Sequence, residues 1–222
     1  MSAVLPVRIR FSKRGRARFI SHLDLNRCMS RALRRSGISV WYTQGFNPHP
    51  YITFALPLSL FYESECEVMD MRLNEAMPLD DLCMALDAQM PEGIHVLEVA
   101  EPVMKTKVIT FASYKIALEF SGVDAEKLRK SFQKLIALPE LLMEKKTKRA
   151  VRMIDIHPWF EKAEPIFEEN LLELKAILPA GQMETINPNC FTAILEQYVQ
   201  LKPDLDHICR TGIFNEQMQS FH

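Results

Sequence analysis

At 222 residues the chain is long enough for one large domain or two small ones, and 48% hydrophobic with 25% charged residues is enough apolar matter for a core. No stretch approaches the roughly 18 uninterrupted apolar residues of a membrane span, and the opening six residues, with Arg8 two positions further on, are too short and too soon charged for a signal peptide. The five cysteines (Cys28, Cys66, Cys83, Cys190, Cys209) form no C-x-x-C pair, so reduced thiols in a cytoplasmic protein are expected, with no metal and no cofactor.

In chain order, Val7 to Phe11 alternates apolar and charged residues, as a half-buried strand does. A polar loop follows, and Ser21-His22-Leu23-Asp24 has the S-x-x-D form of a capping box. The helix it opens is expected to run to about Ser36, with Gly37 just past its end. Ile38 to Thr43 is strand-like. Gly45 to Pro50 is too rich in proline and glycine for regular structure. Tyr51 to Ala55 and Glu65 to Leu73 read as strands, Pro78 opens a helix to about Met90, and Ile94 to Val99 is a further strand.

The second half repeats the order. Thr110 to Phe120 alternates as a strand, and Asp124 to Leu138 is an amphipathic helix. Leu141 to Asp155 is expected to pair with Leu171 to Ile177 across an irregular 156–170 segment. Asn189 to Gln200 is helical, and His207 to Phe214 is the last strand. The expectation is α+β: two tandem ferredoxin-like βαββαβ units with antiparallel sheets, covering residues 1–104 and 105–222.

The net charge of −1 conceals an asymmetry. Residues 1–50 hold ten Arg or Lys against one acid, Asp24, so the remaining 172 residues carry −10. Such an excess marks a polyanion partner or an acidic protein surface. On the first helix Arg27, Arg31, Arg34 and Arg35 fall in one arc, opposite Leu25, Cys28, Met29, Ala32 and Leu33. Guanidinium forks match phosphate oxygens and stay charged. Lys13, Arg14, Arg16 and Arg18 precede them, making eight cations within residues 13–35. The bland alternative is a solvated charged face.

The loop that follows adds the aromatic planes of Tyr42 and Phe46, with amides from Gln44 and Asn47, on which bases can stack and bond. Lys145, Lys148 and Arg149 form a second basic run, and Arg210 a weaker candidate for the same surface. For catalysis the candidates are His22, at the first turn of the helix, and His49 in the loop. Either is equally suited to capping or bonding backbone. No phosphate-cradling glycine loop and no hydrolase or deaminase motif is present.

Four stretches (residues 18–25, 31–37, 45–50 and 55–58), with looser likeness at 145–155 and 210–212, resemble the radical SAM-linked protein family. These are bacterial proteins encoded beside, or fused to the C-terminal side of, a B12-binding-type radical SAM protein. The resemblance implies a radical SAM partner. The C-x-x-x-C-x-x-C cluster motif is absent here, which makes this chain the accessory half. Tyr51 stands after Pro50 where the resemblance leads one to expect a basic residue. The combined expectation is a non-catalytic RNA-binding accessory protein acting in tRNA or rRNA modification or processing. The alternatives are a metal-independent endoribonuclease using His22 and His49, and a docking module for the radical SAM partner.

Overall fold

The computed structural model describes residues 4–146 and 151–222. The fold is mixed α+β, with five α-helices and mostly antiparallel strand pairing among the described residues. None of these helices is long and apolar enough to cross a membrane. The chain divides into two units, residues 1–109 with 210–222, and residues 110–209.

The first unit starts with strand β1 (Leu5–Lys13). Its Val7, Ile9 and Phe11 point into one core, while Arg8 and Arg10 take the opposite face by simple alternation. Helix α1 (His22–Arg35) follows. Its N-cap is Ser21, whose Oγ accepts the Asp24 N–H at 3.2 Å and whose hydroxyl donates to Asp24 Oδ2 at 2.7 Å. Gly37 closes the helix at φ +72°, in the left-handed region that favours glycine. Leu25, Met29, Ala32 and Leu33 bury their side chains in the same core as Val7, Ile9 and Phe11, the larger ones gaining about 1.5–3 kcal/mol each.

Strand β2 (Ile52–Phe54) and the long β3 (Glu63–Leu73) pair antiparallel, Ile52 opposite Met71. Helix α2 (Leu79–Asp87) packs Leu82 and Leu86 into the same core, and β4 (Ile94–Ala100) pairs with the free edge of β1. The order is β4-β1-β3, with β2 on the far side of β3. The expected strand over 38–43 is reduced to two isolated bridges, Val40 to Leu73 and Tyr42 to Pro50. The chain turns back at once: Thr43 N–H bonds His49 O at 2.9 Å, so no ladder grows.

The second unit is built on β5 (Phe111–Glu119), which pairs along its whole length with β9 (Leu171–Pro179). Strand β8 (Glu164–Glu168) pairs with β9, and with β10 (Leu205–Phe214), whose residues from Arg210 on are counted in the first unit, the order is β10-β5-β9-β8. Helix α3 (Ala125–Ile136) is capped by Asp124, whose carboxylate accepts the Lys127 N–H at 2.7 Å. Its Phe132 meets Phe160 of the short α4 (His157–Glu161), and Phe160 meets Phe191 of α5 (Cys190–Val199), at ring separations of 5.7 and 4.6 Å.

The expected pairing of 141–155 with 171–177 is corrected. Strands β6 (Leu142–Lys146) and β7 (Val151–Asp155) pair with each other as a separate hairpin, and β9 takes β8 instead. Asp155 Oδ1 accepts N–H bonds from both Leu141 and His157, each at 2.9 Å. That carboxylate closes the hairpin and starts α4, so the strand cannot run on.

Candidate nucleic-acid interface

The amphipathic pattern of α1 decides what its arginines do. With Leu25, Met29, Ala32 and Leu33 buried, Arg27, Arg31, Arg34 and Arg35 are all exposed. Their partners differ. Arg27 reaches Asp24 at 3.0 Å, an exposed pair one turn away, worth little in water. Arg35 donates to the side chain and carbonyl of Gln89 at 3.2 and 2.7 Å. Among the described residues no carboxylate pairs with Arg31 or Arg34. The carboxyl pKa of Asp24 lies below its ordinary value, through the Ser21 hydroxyl first and Arg27 second. Cys28, half-buried on the same helix, has its thiol pKa raised by burial, against the pull of Arg35 and Arg31.

The cations before the helix separate into three kinds. Arg16 is exposed and, among the described residues, unpaired. Arg14 is paired with Glu65, and Arg18 is half-buried with its guanidinium 4.9 Å from the Phe19 ring centroid. Lys13 is not at the surface at all. It is 1% exposed, with Nζ donating to the carbonyls of Arg18 and Tyr62 at 3.3 Å. Burial lowers its pKa, against the pull of Glu67 and Glu63. Because β1 runs on to Lys13, alternation from Val7, Ile9 and Phe11 carries Lys13 inward.

Arg210 is likewise interior, 1% exposed and paired with the equally buried Glu67, and it donates to Leu56 O at 2.7 Å. Lys13 and Arg210 are therefore corrected from nucleic-acid contacts to structural charges. In the second unit, Lys145 of β6 gives its ammonium to Thr185 O at 2.6 Å. Lys148 and Arg149 lie outside the described residues.

The 41–51 loop is a closed, self-bonded turn. His49 Nδ1 sits 3.0 Å from Asn47 O and 3.1 Å from Thr43 Oγ1, and its N–H donates to Thr43 Oγ1 at 3.2 Å. Gln44 and Asn47 are exposed, Tyr42 is 38% exposed, and Phe46 stands fully in solvent at 106%. His22 packs its ring 5.0 Å from that of Phe54, edge to face. Each histidine thus has a local structural role, and no contact among the described residues joins them. Nor does any hydrogen bond, ion pair or ring contact there join the loop to the α1 arginines.

Arg72 escaped the sequence reading. It lies on β3 with its guanidinium 4.4 Å from the Tyr51 centroid and 5.5 Å from that of Trp41, whose rings meet at 5.5 Å. Its signal was faint: one arginine in a strand with four acids, 21 residues beyond Tyr51.

A family model described as an uncharacterized protein conserved in bacteria (DUF2344) matches residues 7–188. The chain belongs to this family. The matched span takes in most of β1, all of α1 and the 41–51 loop, and ends before Arg210. No curated protein matches the chain. Among solved structures, a chain of "Crystal Structure of a Cbf5-Nop10-Gar1 Complex" is similar at 12% identity and a TM-score of 0.49, over 95% of this chain and 50% of that one. This chain thus spans half the length of that structural relative.

Proposed function

We propose that this member of the family binds RNA through the exposed arginine face of α1, as a non-catalytic accessory to a radical SAM protein. The observation that carries the reading is the pairing pattern of that face. Arg31 and Arg34 project from a helix anchored by four buried side chains, and no carboxylate among the described residues neutralises them. Holding such charges on a rigid rod is what a phosphate backbone rewards. Arg16 and the weakly paired Arg27 would extend the same contact. The partner rests on the likeness of residues 18–25, 31–37, 45–50 and 55–58 to radical SAM-linked proteins. We also read each unit as ferredoxin-like, because β4-β1-β3-β2 and β10-β5-β9-β8 are the sheet orders that a βαββαβ chain makes.

The test is binding of bulk tRNA to the full chain across a salt series. The wild type should lose affinity steeply with salt, and Arg31→Ala/Arg34→Ala should flatten the log–log slope by about one unit per arginine. An unchanged slope, or no retention on RNA at low salt, rejects the reading. Co-purification of the radical SAM protein that survives nuclease treatment would favour direct protein docking over a shared RNA.

A further inference from the structure

The sheet of the first unit has a second face, opposite α1 and α2, with a chemistry of its own. Met69 and Met71 of β3 belong to the helix-side core, so alternation turns Asp70 and Arg72 the other way. A cleft of about 640 Å³ opens there, between that face and the 102–107 segment. This lies within the range of sites that take small organic ligands.

The floor of the cleft is a cross-strand row, Arg8 of β1, Asp70 of β3 and Thr53 of β2. Arg8 grips Asp70 with two N–H bonds of 2.7 and 2.8 Å and gives a third to His222 O at 2.8 Å. Its guanidinium also lies 4.2 Å from the Phe221 centroid, and Arg8 is only 2% exposed. The one carboxylate in the lining is thereby matched by a cation that is itself buried.

Three more cations line the cleft: Arg72, Lys105 and Lys107. Cation–π contact with Tyr51 and Trp41 holds the Arg72 guanidinium in place without neutralising it. A guanidinium so held keeps N–H donors for an acceptor. Lys105 and Lys107 are exposed, and no carboxylate among the described residues pairs with any of the three. Beside Thr106, the remaining wall is mainly apolar, with Pro6, Pro102 and Val103, the last 73% exposed.

We infer that this cleft binds a phosphomonoester carried on a flat, partly apolar body, which is the chemistry of a nucleoside monophosphate. One fork and two ammonium groups suit a dianion with three acceptor oxygens. The proline and valine wall suits the face of a base. The same chemistry arrives either as a free mononucleotide or as the 5′-phosphorylated end of an oligoribonucleotide. The site owes nothing to the α1 arginines and stands or falls apart from them.

Calorimetric titration of the full chain with AMP, GMP, CMP and UMP tests it, with inorganic phosphate as the bare anion. At least one nucleotide should bind saturably and more tightly than phosphate. Arg72→Gln and Lys105→Gln/Lys107→Gln should each weaken it by about tenfold. The charge-matched Lys127→Gln/Lys134→Gln pair on α3 should leave it unchanged. The lysine variant alters exposed side chains only and keeps the test valid if Arg72→Gln fails to fold. A 5′-phosphorylated hexaribonucleotide that competes where its 5′-hydroxyl counterpart does not would identify the RNA end as the source, and failure of both to compete would identify the free nucleotide. No saturable binding at millimolar nucleotide, or equal losses from the two lysine pairs, overturns the inference, as does phosphate binding as tightly as every nucleotide.

Discussion

Glu67 keeps a carboxylate at 1% exposure because Arg210 meets it directly and the Lys13 ammonium is close enough to act on it. Removing the acid would strand two buried cations. Glu67→Ala should therefore cost about 3–5 kcal/mol, the range for breaking a buried pair from one side. The shift of the urea midpoint measures it. Glu67→Ala/Arg210→Met should lose less than the single change, since it removes one stranded cation as well; an equal or larger loss would contradict this account. The sequence could not distinguish these charges from the binding set, because an arginine is written the same way whether it faces solvent or a carboxylate. For Lys13 the alternation from Val7 was a usable sign, hidden because the strand was ended at Phe11. For Arg210 the deciding partner lies 143 residues away, beyond any local pattern.

At the scale of elements, helices were the most legible. Ser21, Asp24 and Gly37 marked both ends of α1, and its buried stripe came out as its periodicity required, with Cys28 only half-buried. The hairpins were less so, since Leu141 to Asp155 holds no glycine or proline to mark a turn, and the pairing of β6 with β7 is what shows that the segment folds on itself. Gly93 supports the segment that leads into α1. It sits at φ +85°, its carbonyl accepts the Arg14 N–H at 2.7 Å, and a Cβ there would collide with the Arg14 carbonyl oxygen. Gly93→Ala should destabilise the protein by roughly 1–3 kcal/mol, as left-handed non-glycine residues do. Thermal unfolding checks it, and a wild-type melting temperature would show that the contact gives way freely. The candidate site was legible to the extent that it lies on α1, because helical spacing fixes which residues share a face. The cleft behind the sheet was not, because Arg72, Tyr51 and Lys105 come from three separate segments.

For the whole molecule, the governing fact is that a chain of net charge −1 carries ten of its 27 bases in the first 50 residues. Binding to a polyanion is then set by local charge and not by the total. Because the contacts assigned to α1 are guanidiniums, affinity for bulk tRNA at fixed salt should stay level between about pH 6 and about pH 9, a range in which arginine does not titrate. Anisotropy titrations across that range would show it. A sharp loss on passing the ordinary histidine pKa of about 6.5 would instead implicate His22 or His49 and displace the arginines from the leading role.

The return of residues 210–222 to the first unit bears on how the protein is made. Glu67 leaves the ribosome 143 residues ahead of the guanidinium that neutralises it. At roughly 5–20 residues per second, that interval is on the order of ten seconds. Throughout it the nascent N-terminal half can collapse around its helices but must leave one acid hydrated. Its final closure waits for translation to deliver Arg210.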